Sequence, residues 1–347
     1  VTTCSLHKRT SPNRSAPPKG AKASSVSTIT TIRTLHISTM ASSSVRSGNV
    51  PASAMGAMSA CFLALRPWSL HISLEPVALG AALAYRLGSG FSPWAFAGSV
   101  LTTLCVHSAG NVVNSYFDYE KGVDSTAVLS ADGLVWLGAF LYALGVLAFL
   151  GEYTVSADGR LLALVFFGGM CCSFLYTGGP YGLKYIGLGD IVVMLTFGPL
   201  SVLYSFLCQV TTFTPRDLLS VLLYAAPLAL NSEAIVHANN IRDRLHDQRA
   251  GIVTLAVAIG PQLSHVLYAL LLFVPYISFA VAAFSRGVMA MLLPLITLPS
   301  AFHLERECRF GLHADLDQHT ARLNAYFSIF YILAIAMTQR LPGFAYT

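Results

Sequence analysis

Long apolar runs, each about the length of a membrane-spanning helix, repeat along most of this chain. A spanning helix needs roughly 20 apolar residues, and nine such runs occur, with 54% of the 347 residues hydrophobic and only 11% charged. A soluble domain usually carries about 25% charged residues, and a membrane β-barrel would show alternating segments of about 10 residues. The sequence therefore predicts an all-α membrane protein with nine transmembrane helices. The predicted spans are 67–86, 93–113, 133–151, 161–177, 187–208, 218–237, 262–283, 287–303 and 322–339.

The chain divides into a basic leader, a transmembrane domain and a short tail. Residues 1–62 are rich in Ser, Thr, Pro and Ala, and no acidic residue precedes Glu75. We expect this leader to be disordered, either as a cytosolic tail or as sequence upstream of a later start at Met40 or Met55. The alternative is an organelle transit peptide, which is also acid-poor and basic and would indicate mitochondria. The transmembrane domain is predicted at 63–340 and the tail at 341–347.

The seven cysteines show no C-x-x-C pair and no histidine at metal-ligand spacing. Most lie inside the predicted spans, where cysteine behaves as a small apolar residue. The sequence therefore predicts neither a disulfide framework nor a zinc site.

Two acidic stretches, NVVNSYFDYEKGVD and NNIRDRLHDQRAG, stand where apolar runs reach water. Carboxylates at a membrane boundary are costly and usually mark an ion or substrate site. Hard oxygen ligands suit Mg2+, and Mg2+ in turn suits a diphosphate. The candidate ligands are Asn114, Asp118 and Asp124 in the first motif and Asn239, Asp243 and Asp247 in the second.

Helical spacing favours one site built from both motifs. An Asn and an Asp four residues apart share one face of a helix, and Gly122 is a plausible helix end that lets Asp124 fold back. The positive-inside rule places both motifs on the same side of the membrane. Nearby Lys121, Lys184 and Arg242 would donate charge-assisted hydrogen bonds to phosphate oxygens. The alternative is that both motifs are ordinary solvated ends of spans.

Aromatic residues lie beside the first motif and at the end of the fourth span. An allylic cation left by a departing diphosphate can be stabilised and shielded by aromatic faces. Aromatic residues are also the ordinary belt at a membrane interface, which is the simpler interpretation of any single one. The residues concerned are Tyr116, Phe117, Tyr119 and Tyr176.

Both motifs, together with SFLYTGGPYGLKYIGLGD and LRPWSLHISLEPVALGAALAYR, closely resemble the UbiA superfamily of intramembrane aromatic prenyltransferases, over about residues 62–340. The resemblance is closest to the animal menaquinone-4 synthase branch. It implies nine transmembrane helices around a central cavity, with Mg2+ held by the two motifs. It further implies transfer of an isoprenyl group from its diphosphate to an aromatic acceptor.

The finer implications of the resemblance concern substrate, location and partner. They are geranylgeranyl diphosphate and a menadiol-type quinol in menaquinone (vitamin K) biosynthesis, with ubiquinone biosynthesis as a second route. The location implied is the endoplasmic reticulum or Golgi membrane, and the partner is a sterol-synthesis reductase; no nucleic acid is expected.

Matching the motifs residue by residue, and adding residues chosen on spacing, gives the expected site. The metal-binding and catalytic residues are Asp118, Asp124, Asp243 and Asp247. The substrate-binding residues are Asn114, Lys121, Tyr176, Lys184, Asp190, Asn239, Asn240 and Arg242. Asn239 fits the helical stripe and Asn240 fits the family motif, so spacing leaves the choice between them open.

Two features depart from the family pattern. The loop DSTAVLSADGLVW after the first motif is short and lacks Lys or Arg from Ser125 to Trp136. This favours, as an alternative function, a catalytically weakened isoprenoid-sensing protein that regulates a sterol-synthesis enzyme; an ion-coupled transporter is a weaker alternative. Glu75 is an acid within the first span, and we expect it to be protonated or paired, for example with His71.

Overall fold

The computed structural model describes residues 54–122 and 129–345, which form a bundle of helices. Within these residues six helical segments are long and apolar enough to cross a membrane: 93–120, 131–155, 189–209, 215–249, 255–286 and 316–337. The all-α membrane class is therefore confirmed. The helices are α1 (Ala54–Leu65), α2 (His71–Ala84), α3 (Pro93–Glu120), α4 (Ala131–Val155), α5 (Gly159–Leu175), α6 (Gly189–Leu195), α7 (Ser201–Gln209), α8 (Pro215–Arg249), α9 (Leu255–Arg286), α10 (Leu298–Arg309) and α11 (Leu316–Met337).

The other three predicted spans contain shorter or irregular helices. The first corresponds to α2, the fourth to α5, and the eighth to a 3-10 helix, Met289–Thr297, that continues into α10. Helix α6 passes into α7 through a wider turn at Thr196–Leu200, which contains Pro199. Because proline has no backbone N–H, the regular hydrogen bonding within the helix is interrupted there. The count of nine spans stays a prediction.

Local sequence explains where the two helices that carry the motifs begin and end. Helix α8 begins with a capping box, because Thr214 accepts from the backbone N–H of Asp217 and the Asp217 carboxylate accepts from that of Thr214. Helix α3 ends as predicted at Gly122, whose φ of 70° few other residues adopt. Helix α3 therefore ends within its motif, between Asp118 and Asp124, and α8 ends just beyond Asp247.

Close packing of α2 against α7 depends on a glycine. A Cβ atom added at Gly80 would collide with the backbone of α7 at Val202 and Phe206. The approach lets the Ser205 hydroxyl donate to the Val77 carbonyl oxygen, with an O···O distance of 2.7 Å. Small residues of this kind allow helices to approach closely where lipid supplies no hydrophobic driving force.

The predicted pairing of Glu75 with His71 is wrong. The Glu75 carboxylate on α2 instead accepts hydrogen bonds from Asn324 and Ser328 on α11. His71 bonds to the Trp68 carbonyl oxygen at 2.8 Å. A buried acid is tolerated where donors from a neighbouring helix satisfy it, and sequence alone did not reveal which helix that was.

The two ends of the predicted domain differ from expectation where they can be described. Helix α1 begins at Ala54, inside the predicted leader, because AMGAMSACFLAL is apolar enough to form a helix; residues 1–53 lie outside the described part. The predicted tail packs against α8, where Phe344 stacks on Tyr224 with ring centroids 5.7 Å apart. The backbone N–H of Ala345 donates to the Asp217 carboxylate at 2.8 Å.

Candidate functional site

A cavity of about 840 Å³ lies within the helical bundle. This volume is in the range of about 300–1,000 Å³ typical of small-molecule sites. The polar side chains that line it include Asn114 on α3, Lys184 from the α5–α6 loop and Asn239 on α8, together with Asp317 and Arg322 on α11. Aromatic and aliphatic side chains line the rest, among them Trp68, Phe166, Tyr176, Val193, Phe197 and Tyr204. The cavity therefore combines a few polar groups with a largely apolar wall.

Asp118 of the first motif is buried and held by residues far from it in sequence. Lys184 Nζ donates to both carboxylate oxygens, at 2.8 and 3.1 Å, and the Tyr185 hydroxyl donates to one of them at 2.7 Å. Burial raises the pKa of the Tyr185 hydroxyl, and its hydrogen bond to Asp118 raises it further, so it remains a donor. Lys121 Nζ lies 3.9 Å from the centre of the Tyr185 ring, as a cation–π contact.

The α5–α6 loop brings the first motif next to the end of α8. The Tyr185 carbonyl oxygen accepts from the Val253 backbone N–H at 3.2 Å, and Ile186 pairs with Val253 in a short parallel bridge. Lys184 and Asp118 both interact electrostatically with Asp247 of the second motif. The two motifs therefore lie at the same end of the bundle, as the sequence predicts.

Arg242 organises the second motif. Its guanidinium donates to both carboxylate oxygens of Asp243, at 2.9 and 2.8 Å, and to Asn239 Oδ1 at 2.6 Å. It also forms an ion pair with Asp317 in the first turn of α11, at 2.7 Å. The sequence analysis missed Asp317, because an acid in the first helical turn is ordinarily a favourable dipole interaction. Its side chain borders the cavity.

The donor set of the two motifs fits Mg2+. Asp118, Asp243 and Asp247 offer carboxylate oxygens, and Asn114 Oδ1 is buried without a hydrogen-bond partner among the described residues. Mg2+ binds proteins through a few carboxylates and otherwise keeps water or phosphate oxygens. Lys184 and Tyr185 would share Asp118 with such an ion. The remaining predicted ligand, Asp124, lies outside the described residues.

Asp190 belongs to a buried cluster that the sequence revealed only in part. It accepts from the Asn240 amide at 3.3 Å and lies 3.3 Å from His237 Nδ1, whereas His237 Nε2 faces the Ser264 carbonyl oxygen at 3.1 Å. One carboxylate oxygen from each of Asp190 and Glu233 and one ring nitrogen of His237 lie within 4.8 Å of one another. Two carboxylates buried this closely must share a proton or be balanced by a cation. Glu233 was missed because it belongs to neither acidic motif, although an acid inside a predicted span is itself an indication of a functional site.

The predicted residues in the described part of the chain divide into those that border the cavity, those that bond to its wall or lie behind it, and Lys121, Asp190 and Asp247, which do not border it. Asn114, Tyr176, Lys184, Asn239 and Asn240 border the cavity. Asp118 lies directly behind that wall, bonded to Lys184, whereas Arg242 bonds to Asn239 of the wall and Asp243 lies behind Arg242. Both candidate asparagines of the second motif border the cavity, so the choice between them stays open.

Tyr176 is the one aromatic residue singled out from the sequence that borders the cavity. The three aromatic residues beside the first motif do not line it, and Phe117 packs against Phe174 instead. Phe166, Phe197 and Tyr204 line it in their place. They were missed because an aromatic residue inside an apolar span gives no indication of which way it faces.

Comparison with known proteins identifies the family and agrees with the fold. Residues 73–333 match the UbiA prenyltransferase family. The chain is 48% identical to UbiA prenyltransferase domain-containing protein 1 of Gallus gallus over 285 residues, covering 79% of this chain and 84% of the relative.

Two solved structures share the fold. The apo structure of a UbiA homolog from Aeropyrum pernix K1 superposes with a TM-score of 0.61 at 11% identity, covering 76% of this chain and 98% of that one. A UbiA homolog from Archaeoglobus fulgidus bound to GPP and Mg2+ gives 0.56 at 14% identity, covering 80% and 100%. The chain therefore belongs to the UbiA prenyltransferase family and is an intramembrane prenyltransferase.

Proposed function

We propose that the chain transfers a geranylgeranyl group from its diphosphate to a menadiol-type quinol, in menaquinone (vitamin K) biosynthesis. The observation that carries this proposal is the cavity, which has an apolar wall for an isoprenyl tail and polar groups of both acidic motifs beside it. The relative from Archaeoglobus fulgidus was solved with the isoprenyl diphosphate GPP and Mg2+, which supports the substrate class. A quinol in ubiquinone biosynthesis is a second acceptor of the same chemistry.

The side chains of the site have separate roles in this reaction. Asp118, Asp243 and Asp247, with Asp124, would hold Mg2+, which when bound supplies Lewis-acid stabilisation of a diphosphate. Lys184 and Arg242 donate to the diphosphate oxygens, and Lys121 adds positive charge beside them. Each of these donors is already oriented by a carboxylate or an aromatic ring, so little rearrangement is needed on binding.

The apolar wall serves the carbon chemistry. As the allylic C–O bond breaks, the electron pair leaves with the diphosphate, and a ring carbon of the quinol attacks the cation. Phe197 and Tyr176 can stabilise that cation through their ring faces, and the apolar wall limits the access of water that would convert it to an alcohol. The ring then loses a proton, which the departed diphosphate can accept, since the buried Asp190–Glu233–His237 cluster lies outside the cavity lining.

The reaction can be tested in membranes that contain the chain. They would be incubated with geranylgeranyl diphosphate or shorter isoprenyl diphosphates, and with menadiol or a benzoquinol, with Mg2+ or with EDTA. We expect a prenylated naphthoquinol that forms only with Mg2+ and is absent from membranes with Asp243→Ala. Absence of product from every pair, while the labelled diphosphate still binds, would contradict the proposal.

The short loop after the first motif favours a second candidate function, an isoprenoid-sensing protein that regulates a sterol-synthesis reductase in the endoplasmic reticulum or Golgi membrane. The loop lacks Lys and Arg from Ser125 to Trp136, and 123–128 lie outside the described residues. Two lost charge-assisted hydrogen bonds, at roughly 1.5–3 kcal/mol each, would weaken diphosphate binding by about 100-fold or more. Insertion of an Asp-Arg-containing segment after Asp124 should then lower the KM. Equal kinetics with and without the insertion would mean that Lys121, Lys184 and Arg242 suffice.

A further inference from the structure

A second cluster of metal-ligand side chains lies apart from the two acidic motifs, where α9, α10 and the loop before α11 meet. It consists of His265 on α9, Cys308 in the last turn of α10, and His313 in the loop. One ligand atom from each lies within 4.8 Å of the other two. Cys308 is buried and both histidines are half-buried, so the cluster has one side toward the protein and one toward solvent.

These side chains suit a different ion from the one proposed for the acidic motifs. A thiolate with two imidazoles is a ligand set for Zn2+, whereas Mg2+ prefers oxygen. With Zn–S of about 2.3 Å and Zn–N of about 2.0–2.1 Å, tetrahedral ligand atoms lie about 3.3–3.7 Å apart. Side-chain rotations that shift the atoms by about 1 Å would bring this cluster to that geometry.

A hydrogen bond prepares one of the histidines to bind a metal. His313 Nε2 lies 2.9 Å from the Cys308 carbonyl oxygen. Because a carbonyl oxygen only accepts, Nε2 carries a proton, so Nδ1 is the nitrogen that can bind a metal. Metal-binding histidines usually donate their other ring N–H to a carbonyl or carboxylate in this way. The His265 ring contacts the His313 ring, with centroids 5.8 Å apart.

We propose that His265, Cys308 and His313 bind zinc or a similar thiolate-preferring divalent ion, with a fourth position open to water. The ion would join α9, α10 and the loop that leads into α11. Four residues after His313, Asp317 forms its ion pair with Arg242 of the second motif. The site therefore holds the segment that positions Asp317. Cysteine spacing gave no sign of it, because His265 is far from the other two ligands in sequence.

Cobalt substitution provides the direct test, because a cysteine thiolate bound to Co2+ gives a charge-transfer absorption band that oxygen ligands do not. The full chain, without a polyhistidine tag, would be purified in detergent, treated with chelator, and titrated with Co2+ and with Zn2+ in excess Mg2+. We expect one Co2+ per chain with a thiolate band, displacement of Co2+ by Zn2+, and a raised Tm. Hydrogen exchange in 310–316 should slow when Zn2+ is added.

Variants assign the site to its residues. Cys308→Ser should remove the thiolate band and weaken Zn2+ binding by more than about 100-fold, beyond the 10- to 100-fold typical of an outer-shell loss. His265→Gln and His313→Gln should weaken binding while keeping a thiolate band, which separates ligand loss from misfolding. The matched controls are Cys171→Ser and His303→Gln, at exposed positions, and they should bind as the parent chain does. Absence of a thiolate band in the parent chain, or a band that persists in Cys308→Ser, would overturn the proposal.

Discussion

The first acidic motif, at the end of α3, and the second, at the end of α8, place their aspartates in different surroundings. Asp118 has a side chain only 5% exposed and is held by Lys184, which lies 66 residues away in sequence. Asp243 has a side chain 37% exposed and is held by the adjacent Arg242. Breaking a buried ion pair is costly because it leaves a charge without a partner, whereas exposed pairs contribute little. We infer that the first motif is part of the fold and the second is largely a local arrangement.

The largest effect is expected from replacing the aspartates Asp118 and Asp243. Asp118→Ala and Asp243→Ala should each reduce prenyl transfer to background, because each removes a metal-binding carboxylate. Only Asp118→Ala should also destabilise the protein, by about 2–4 kcal/mol, since it leaves the Lys184 ammonium and the Tyr185 hydroxyl without their acceptor. Transfer assays in membranes and thermal unfolding in detergent measure the two effects.

An exposed acid provides the control for that pair of variants. Asp132→Ala, at an exposed position in the first turn of α4, should leave activity unchanged and lower the Tm much less than Asp118→Ala, because it loses only a helix-dipole interaction. Near-normal activity of both motif variants at saturating Mg2+ would disprove the shared site. Equal decreases in Tm in Asp118→Ala and Asp243→Ala would disprove the inference that the first motif is part of the fold and the second a local arrangement.

Variants of the two cations, Lys184 and Arg242, should differ in stability in the same way as the aspartate variants, and their loss of activity should be smaller. Lys184→Met and Arg242→Met each remove charge-assisted hydrogen bonds worth about 1.5–3 kcal/mol, so the KM for the isoprenyl diphosphate should rise about 10- to 100-fold. Lys184→Met should also lower the Tm, because Asp118 becomes a buried charge without its cation. Arg160→Met, at an exposed position in the first turn of α5, is the control. An unchanged KM in Lys184→Met would exclude it from the diphosphate site.

Replacing Asp317 tests whether a contact with α11 contributes to the arrangement of the second motif. Asp317→Asn removes the ion pair that joins α11 to Arg242, which should raise the KM for the diphosphate about 5-fold, for a contribution of about 1 kcal/mol. Asp315→Asn, two residues earlier and exposed, should have no effect. A KM that stays constant in Asp317→Asn would mean that Asp243 and Asn239 alone position Arg242.

The smallest effect on activity is expected at Tyr185. Tyr185→Phe removes one hydrogen bond to Asp118 but keeps the ring under Lys121, so stability should fall by about 1.5 kcal/mol, the lower end of the range for a bond to a charged group. Activity should fall less than in Lys184→Met. Tyr181→Phe, whose side chain is 75% exposed, should match the parent chain. A loss as large as that of Asp118→Ala would mean that Tyr185, and not Lys184, is the main partner of the buried carboxylate.

Structural features that depend on the local periodicity of the sequence were predicted well. The apolar runs gave the helical membrane class, Gly122 marked the end of α3, and the four-residue spacing placed Asn114 and Asp118 on one helix. The positive-inside rule placed both motifs at one end, as the contact of Lys184 with Asp118 and its proximity to Asp247 indicate. Each of these depends on hydrogen bonding within one helix or on the cost of moving charge across lipid, and both are properties of short segments.

Partners of polar side chains depended on packing that no short segment contains. Sequence did not reveal that Glu75 bonds to α11, that Asp317 reaches Arg242, or that Cys308 lies beside two histidines. All of these contacts join different elements, and most join residues far apart in sequence. They form only when the helices pack, because the rotation of each helix about its axis and the path of each loop decide which polar groups meet inside the bundle.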